Sequence, residues 1–375
     1  MNSLTWVEIS KSALTHNIRQ FRKALKKNYL MAVVKANAYG HGSFTVSKAI
    51  ASQVDYFGTA NGTEALSLRE YGIKKPILVL NYYALTQIKS LILKNIALVV
   101  YDLKQAKVIS FQAKKLKKQA SVHIKVGTGL SRLGVTAKDA VAFTKKVEKL
   151  SNIKIQGLFS HFAASEDDPA FTTIQLNHFR KIIEDLEKNS IFIPIKHISC
   201  TASTLGFPES NFNLSRIGIG IYGLQSYKSI YSLVRKVNPN FNLKPALTWK
   251  TKVLSVKDLP VGAYVGYGRS YRIPKKTKLA ILPVGYYEGY DRKFSNLAEV
   301  LIGGKRCKVR GRVYMNLLSV DVTRVKNVKG GDEAVLLGKQ GREEIFAEEL
   351  ATIAGTINYE IVSRINPVIP RILVK

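Results

Sequence analysis

Short apolar runs alternate with helix-like stretches between residues 30 and 222, and this alternation constrains the fold more than any other feature of the chain. Strands of a parallel sheet are buried on both faces, so they read as nearly continuous runs of apolar and β-branched residues. Eight runs have this character, at residues 30–34, 56–60, 77–80, 96–101, 122–126, 155–162, 197–201 and 214–222. The pattern predicts eight buried strands.

Helix-like stretches lie between most of these runs. In the first, residues 10–27, apolar side chains recur at spacings of three and four residues: Leu14, Ile18, Phe21 and Leu25. Others lie at residues 43–52, 64–71, 104–119, 137–150 and 172–189. This alternation over this length predicts the α/β class, with an eight-stranded (β/α)8 TIM-like barrel. A doubly wound open sheet is the alternative, but residues 35–42 lack the GxGxxG spacing that such a sheet carries after its first strand.

The pattern changes after about residue 245, where short β-rich runs are separated by glycine and proline. The runs lie at residues 247–256, 279–284, 298–302, 307–313, 318–322 and 333–337. Turn signals such as Gly303-Gly304 divide them. We expect a barrel domain over residues 1–240 and an all-β domain over residues 241–375, with residues 1–10 as a segment that could join the β domain.

Composition is that of a globular protein, with 46% apolar and 22% charged residues. No apolar run approaches the ~20 residues that span a bilayer, and the first ten residues lack the features of a signal peptide. We expect a cytoplasmic protein without membrane association. Cys200 and Cys307 lie far apart and have no metal-type spacing, so we expect neither a disulfide framework nor a metal site.

The net charge of +32 is the unusual feature, and it suggests nucleic-acid binding as one function. The basic residues are spread along the chain in ones and twos, however, and the densest run, residues 114–118, has the spacing of a solvated helix face. No zinc-finger spacing or RRM-type aromatic string accompanies them. We therefore expect no nucleic-acid partner; the sequence does not explain why the charge is so large.

Lys35 stands where the first strand run gives way to a loop. Burial at a strand end lowers the pKa of an amine toward the value that a Schiff-base-forming lysine needs. The surrounding string, Val-Val-Lys-Ala-Asn-Ala-Tyr-Gly-His-Gly at residues 33–42, resembles the cofactor-attachment motif of alanine racemases, which depend on pyridoxal 5′-phosphate. Further blocks resemble the same family, in the family's order, along nearly the whole chain. The resemblance implies the same barrel and C-terminal β domain.

The resemblance implies a cofactor site at the C-terminal ends of the barrel strands, where barrel enzymes carry their chemistry. Lys35 would hold pyridoxal phosphate and then act as one of two catalytic bases. His161 would lie against the pyridine ring, and Arg216 would face the ring nitrogen. The positions that match phosphate-holding residues are Tyr39, Thr201, Gly218, Ile219 and Tyr359. Thr201 replaces the serine usual in the family and keeps the hydroxyl.

Arg216 discriminates between reaction types. A carboxylate at that position would keep the pyridine nitrogen protonated, as decarboxylases of the related fold require. An arginine has no acceptor and does not readily lose its proton, so it would leave the nitrogen unprotonated and favour simple proton exchange. The residue therefore favours a racemase over a decarboxylase.

The second base implied by the resemblance is Tyr267, in Val265-Gly-Tyr-Gly268. A two-base racemase needs one proton-transfer group on each face of Cα. Lys35 would serve the D-isomer and Tyr267 the L-isomer. Family members place this tyrosine in the active site of the neighbouring subunit, so the resemblance implies a homodimer.

Substrate contacts follow from the same resemblance: Arg132, Met315 and Tyr286 match substrate-binding or entrance positions. Lys125 matches a lysine that the family carries as a carbamate, whose charge would fix Arg132 in place. Three residues depart from the family pattern, with Gly127 and Asn316 where aspartate is usual and Ser131 where glycine is common.

The function implied is interconversion of L-alanine and D-alanine, which would supply D-alanine for peptidoglycan. One alternative is a racemase of the same fold that acts on serine or on a broader range of amino acids. The other is a non-catalytic pyridoxal-phosphate carrier, a class that lacks the β domain.

Overall fold

A computed structural model describes residues 3–225, 232, 234–236 and 238–375, and the chain divides into two compact units. The first, the barrel unit, comprises Leu14–Ala38 and Ser47–Lys244. The second, the β unit, comprises Met1–Ala13, Tyr39–Val46 and Pro245–Lys375. The division places three separate stretches of chain in the β unit. The boundary expected at residue 240 stays a prediction.

The strands in the first part of the chain are β1 Thr5–Ser10, β2 Tyr29–Val33, β3 Tyr56–Asn61, β4 Ile77–Tyr82, β5 Leu98–Val100, β6 Ala120–Gly127, β7 Val135–Thr136, β8 Ile153–Phe159, β9 Ile195–His197 and β10 Leu214–Ile217. Those of the second part are β11 Leu247–Lys252, β12 Ser255–Leu259, β13 Tyr264–Val265, β14 Tyr271–Arg272, β15 Thr277–Leu282, β16 Glu299–Ile302, β17 Lys305–Lys308, β18 Leu318–Asp321, β19 Glu333–Gln340, β20 Glu343–Ile345 and β21 Arg371–Val374.

The α-helices are Lys11–Leu25, Ser43–Ile50, Gly62–Glu70, Ile88–Leu93, Leu103–Lys115, Ala140–Glu148, Pro169–Lys188, Thr201–Gly206, Ala347–Ala354 and Asn358–Ser363. Several begin at side chains that satisfy the free N–H groups of a first turn. Asn61 accepts from the N–H of Glu64 at 3.0 Å, and Asp168 accepts from that of Phe171 at 2.9 Å. No helix among the described residues is both long enough and apolar enough to cross a membrane.

Among the described residues, eight parallel strands form the barrel. Their order is β10-β2-β3-β4 in one sheet and β5-β6-β8-β9 in another. A parallel bridge between Leu78 and Ala97 connects the β4 and β5 sides. Between β9 and β10, the N–H of Arg216 donates to the carbonyl of Ser199 at 3.2 Å. The predicted α/β TIM-like barrel is confirmed.

The predicted ends of several strands were wrong. β8 ends at Phe159 and β9 at His197, so His161 and Thr201 lie in the segments that follow, and Thr201 begins a short helix. Lys35 likewise lies two residues beyond the end of β2. The apolar letters continue past the strand ends because the following turns are also buried, and periodicity does not distinguish a buried strand from a buried turn.

The β unit is organised around a sheet of order β17-β16-β19-β11-β1-β21. β1 pairs antiparallel with β11 and parallel with β21, so the first strand of the chain is an interior strand of this sheet. The predicted turn at Gly303-Gly304 joins β16 to β17, with φ of 58° and 70°, a conformation that favours glycine. The predicted β-rich domain is confirmed, with the helices Ala347–Ala354 and Asn358–Ser363 as additions.

Candidate active site

The segment after Lys35 is a left-handed turn. Four consecutive residues, Ala36 to Tyr39, have φ angles between 52° and 53°. Residues other than glycine adopt such positive φ angles rarely, and then usually one at a time. The N–H of Ala38 donates to the carbonyl of Val34 at 2.9 Å, which closes the turn on the end of the strand. A run of such residues costs conformational energy, and strain of this kind concentrates at functional sites.

Glu64 holds the start of this turn. Its carboxylate accepts from the N–H of Ala36 at 2.6 Å and from the N–H of Ala60 at 2.8 Å. Glu64 lies in the first turn of the helix Gly62–Glu70, so the helix that follows β3 fixes the residue directly after Lys35. Its negative charge also acts to raise the pKa of the Lys35 amine. Burial and Arg132 lower that pKa more strongly, so the net shift is downward.

Four cationic side chains act on one another in the barrel unit. Burial lowers the pKa of Lys35, and the positive charges of Arg132 and Arg216 lower it further. Burial, Arg132, Arg216 and Lys35 together lower the pKa of Lys125 to about 7. Such a cluster favours neutral amines, and it favours bound anions that would offset its charge.

Arg216 is deeply enclosed, with 5% of its surface exposed. Its guanidinium donates to the carbonyls of Ser160 and Ile198, each at 2.8 Å, and of His197 at 3.1 Å. It also contacts Nδ1 of His197 at 2.7 Å and Nδ1 of His161 at 3.1 Å. None of these acceptors within the described chain is a carboxylate. The positive charge is therefore stabilised by dipoles without being neutralised, and burial lowers the pKa of Arg216 to about 10.

His161 and His197 are held in the neutral form. Burial foremost, then Arg216, lowers the pKa of each imidazole well below its usual value. A neutral imidazole has one acceptor nitrogen, and in both residues Nδ1 faces the guanidinium, which only donates. His161 can therefore accept from Arg216 and keep its Nε2–H for another partner.

Lys125 lies on β6, with 4% of its surface exposed. Its Nζ donates to the carbonyl of Leu80 at 3.2 Å and contacts Oδ1 of Asn81 at 3.4 Å, both at the end of β4. The loop after β6 carries Arg132, which is exposed. This loop, with Lys125, Ser160 and His161, lines a cavity of about 370 Å³.

The turn after β10 offers a second binding feature. The hydroxyl of Thr201 accepts from the N–H of Gly218 at 3.0 Å, which leaves its own proton to donate. Ile219–Tyr222 forms a 3-10 turn, whose first N–H groups have no partner inside the turn. A Cβ at Gly220 would lie 2.5 Å from the ring of Phe21, so the close packing requires glycine there. Hydroxyl and amide donors at one turn suit a phosphate group.

Tyr39 and Tyr359 meet within the β unit, with ring centroids 6.0 Å apart. The chain at Gly40 packs tightly against the helix Asn358–Ser363, since a Cβ at Gly40 would lie 1.9 Å from the carbonyl oxygen of Val362. Arg371 donates from Nε to the carbonyl of Gly40 at 3.0 Å. These contacts position the two tyrosines together.

Tyr267, Tyr286 and Met315 belong to a loop cluster of the β unit. The ring of Tyr267 packs edge-on against Tyr314 at 5.4 Å, and the N–H of Tyr286 donates to the carbonyl of Tyr314 at 3.0 Å. All three predicted residues are exposed: Tyr267 by 74%, Tyr286 by 44% and Met315 by 56%. A contiguous set of exposed apolar and aromatic side chains is typical of an interaction surface.

The structure thus gathers the predicted residues into two groups. Lys35, Lys125, Arg132, His161 and Arg216 interact in the barrel unit, whereas Tyr39, Tyr267, Tyr286, Met315 and Tyr359 belong to the β unit. Sequence reasoning missed Glu64, His123 and His197. The predicted helix that contains Glu64 gave one usable signal, since an acidic residue three positions after Asn61 is typical of a helix start. The two histidines gave none.

Comparison with known proteins matches both domains. The alanine racemase N-terminal domain model matches residues 9–226 and the C-terminal domain model matches residues 246–373. An alanine racemase of Methanococcus maripaludis is 43% identical over 371 residues, which cover 98% of each chain. The structure of an alanine racemase of Clostridium difficile superposes with a TM-score of 0.94 at 32% identity, over 100% of this chain and 96% of that one. A histidine racemase of Leuconostoc mesenteroides superposes with a TM-score of 0.92 at 28% identity, over 100% and 99%.

Replacement of Ala36 by glycine is expected to stabilise the protein. Ala36 is exposed, so few contacts are lost, and glycine adopts a positive φ without cost. The substitution relieves backbone strain in the folded state, and the greater flexibility of the unfolded chain offsets part of that gain. The free energy of unfolding should therefore rise by about 0.5–1 kcal/mol. The matched control is Ala24→Gly, an exposed alanine in the right-handed helix Lys11–Leu25, which should lower it by about the same amount. Chemical denaturation measures both; a loss of stability in Ala36→Gly would contradict the left-handed turn.

Replacement of Lys125 by methionine is expected to stabilise the protein in a pH-dependent way when carbon dioxide is excluded. The folded pKa of Lys125 is about 7, below the unfolded value of about 10.4. The cost of burying the charged amine is therefore full below pH ~7 and disappears as the pH rises to ~10.4. The advantage of Lys125→Met should fall by about 2–4 kcal/mol between pH 6 and pH 10. Lys104→Met, at an exposed helix position, should show no such trend; equal pH profiles for the two variants would rule out the lowered pKa.

Proposed function

Because this chain belongs to the alanine racemase family, we propose that it interconverts L- and D-alanine with pyridoxal phosphate as cofactor and with Lys35 and Tyr267 as its two bases. The observation that carries the proposal is Arg216, a buried cation held by neutral acceptors at the mouth of a barrel. Residues 1–240 would supply most of the cofactor site, and residues 241–375 would supply Tyr359 and the second base. D-Alanine for peptidoglycan and a cytoplasmic location remain predictions from the sequence.

The donor set of the barrel unit fits pyridoxal phosphate. The hydroxyl of Thr201, whose oxygen accepts from the N–H of Gly218, and the N–H of Ile219 suit the phosphate. The amine of Lys35, with its lowered pKa, suits covalent attachment. Tyr39 and Tyr359 would add hydroxyl donors to the phosphate. When bound, pyridoxal phosphate supplies an electron-withdrawing ring that acidifies the Cα proton of an attached amino acid.

Lys35 would hold the Cα proton on one face of the substrate. An amine accepts a proton only in its neutral form, and burial with the nearby guanidinium groups lowers the pKa of Lys35 toward the working pH. Glu64 fixes the backbone next to Lys35 through the N–H of Ala36. Arg132, in the exposed loop, would bind the carboxylate of the substrate.

Arg216 and His161 would set the electronic character of the ring. The guanidinium has no acceptor, so it would leave a facing ring nitrogen without a proton. His161 is neutral and accepts from Arg216 at Nδ1, so it could pack against the ring without adding charge. Both features support proton exchange over reactions that need a protonated ring.

Tyr267 would hold the proton on the opposite face of Cα, in the active site of a second subunit. The exposure of Tyr267, Tyr286 and Met315 supports this arrangement, since a phenol that is 74% exposed lacks the enclosure that a base needs. A partner subunit would provide the enclosure. The homodimer is thus part of the proposed active site.

Lys125 would carry a carbamate. An amine whose pKa is about 7 is largely neutral at physiological pH and can react with dissolved carbon dioxide. The product is an anion, and it would offset the charges of Arg132 and Arg216 that now lower that pKa. Gly127, at the end of β6 close to Lys125, supplies no carboxylate for the same purpose.

The second candidate is a racemase of the same fold with a broader or different substrate. The structural similarity to a histidine racemase supports it, because that protein shares the architecture at 28% identity. Activity ratios across alanine, serine and histidine distinguish the two candidates.

The first test is chiral analysis of alanine after incubation of the protein with L-alanine and pyridoxal phosphate in deuterated water. The wild type should produce an equal mixture of isomers. Tyr267→Phe should lose racemisation by roughly 100-fold or more, yet still exchange the Cα proton of D-alanine, because Lys35 is retained. Tyr264→Phe, at an exposed tyrosine in β13, should behave as the wild type. Exchange of L-alanine by Tyr267→Phe at the wild-type rate would refute the assignment of the second base.

The shared active site predicts complementation between two inactive variants. Lys35→Ala and Tyr267→Phe each remove one base from both sites of a homodimer. A mixed dimer should regain one complete site, so random exchange of subunits should restore about a quarter of wild-type activity. Mixed subunits that stay inactive, although native mass spectrometry shows mixed dimers, would place both bases in one subunit.

A further inference from the structure

A chain of two histidines extends from Arg216 into the barrel core. Nη1 of Arg216 lies 2.7 Å from Nδ1 of His197, and Nε2 of His197 lies 3.0 Å from Nδ1 of His123. Both histidines have no exposed surface, and Arg216 is 5% exposed. The three side chains come from the ends of β10 and β9 and from the middle of β6.

The positions of the protons in this chain follow from the chemistry of its first member. A guanidinium only donates, so Nδ1 of His197 accepts. A neutral imidazole then carries its proton on Nε2, which donates to Nδ1 of His123. His123 in turn carries its proton on Nε2. Burial foremost, then Arg216, lowers the pKa of His123 to about 3 and lowers the pKa of His197 well below its usual value, in agreement with neutral rings.

The far end of this hydrogen-bonded chain, at His123, lowers the stability of the fold. Nε2 of His123 is buried and has no hydrogen-bond partner among the described residues. Buried polar groups without partners are rare, and each calls for an explanation. An apolar side chain at this position would fill the core without that cost. A role in packing alone therefore does not account for a histidine.

The barrel also makes room for this ring. His123 lies opposite Gly157 in the pairing of β6 with β8. A Cβ at Gly157 would lie 2.1 Å from Nδ1 of His123, the atom that accepts from His197. The ring of Phe159 stacks on His197 at 4.8 Å and fixes its plane. Both neighbours therefore restrict the rings that form this hydrogen bond.

We propose that His123 is a positioning residue for the racemase reaction, which holds His197 in the tautomer that accepts from Arg216. The proposal rests on the proposed function for its catalytic consequence. Each imidazole orients the next, so the negative end of both ring dipoles points at the guanidinium. The guanidinium of Arg216 is thereby held in position and stays protonated, without a carboxylate that would neutralise its charge. Loss of His123 leaves the Nε2–H of His197 without an acceptor in a dry core.

The experiment compares the wild type with His123→Leu and His123→Asn. Asparagine can place its Oδ1 near the position of Nδ1 and accept from His197, whereas leucine cannot. Nitrogen-15 NMR of the histidine rings, in protein with and without pyridoxal phosphate, should show His197 protonated on Nε2 in the wild type and in His123→Asn. In His123→Leu the Nε2–H of His197 loses its acceptor and the ring is no longer held against Arg216, so that signal should shift toward a mixture of tautomers.

Kinetics of the cofactor-loaded enzymes give the second readout. His123→Leu should lower kcat for alanine roughly 10-fold with KM within about twofold, because Arg216 does not hold the substrate. His123→Asn should restore kcat to within about threefold of the wild type. A purely structural role would lower the active fraction without changing the tautomer of His197. Unchanged tautomer and kcat in His123→Leu would overturn the proposal.

Two further results keep the test decisive. If His123→Leu does not fold, Gly157→Ala displaces His123 without removing it and should give the same tautomer shift and loss of kcat; a wild-type tautomer and kcat there would overturn the proposal. If the wild type does not racemise any amino acid, the proposed function fails, and with it the catalytic role of His123. The NMR result on the cofactor-free protein still shows whether His123 sets the tautomer.

Discussion

The candidate site depends on a buried positive charge that no carboxylate among the described residues neutralises. Arg216 is surrounded by carbonyl oxygens and imidazole nitrogens, each of which stabilises the guanidinium while leaving its charge intact. A carboxylate in their place would form an ion pair and weaken the field that reaches the barrel mouth. The lowered pKa values of Lys35, Lys125 and His161 all have this charge among their causes. Burial is the largest cause in each case, and the charge of Arg216 adds to it, so the way this arginine is held helps to keep these groups neutral.

The architecture could be predicted from the sequence because it depends on repeated patterns. Each buried strand of the barrel contains enough apolar residues to stand out, and the crossover helices separate the strands at regular intervals. The cofactor-site and base residues could be proposed because Lys35, Arg216 and Tyr267 each lie within a recognisable string. What the strings could not show is where each strand stops. His161 and Thr201 lie beyond the strand ends because burial continues through the turns.

The residues that escaped prediction act through distant parts of the chain. His123 and His197 are 74 positions apart and meet only because β6 and β9 flank β8 in the same sheet. The need for Gly157 arises from the same pairing. The left-handed turn from Ala36 to Tyr39 is equally hidden, since two alanines in a short string are typical of a right-handed helix. This conformation is accompanied by contacts from Val34 and Glu64 in the barrel unit. In the β unit it is accompanied by the packing of Gly40.

The position of β1 has a consequence for how the protein is made. β1 begins at Thr5 and pairs with β21, which ends at Val374, so the β unit joins the first and last strands of the chain. During synthesis β21 emerges after all the other described strands. β1 therefore lacks at least one of its two neighbours until β21 is available, while the barrel strands emerge earlier and can pair with one another. The sheet of the unit that carries Tyr267 is in this way completed only after the strands of the barrel have been made.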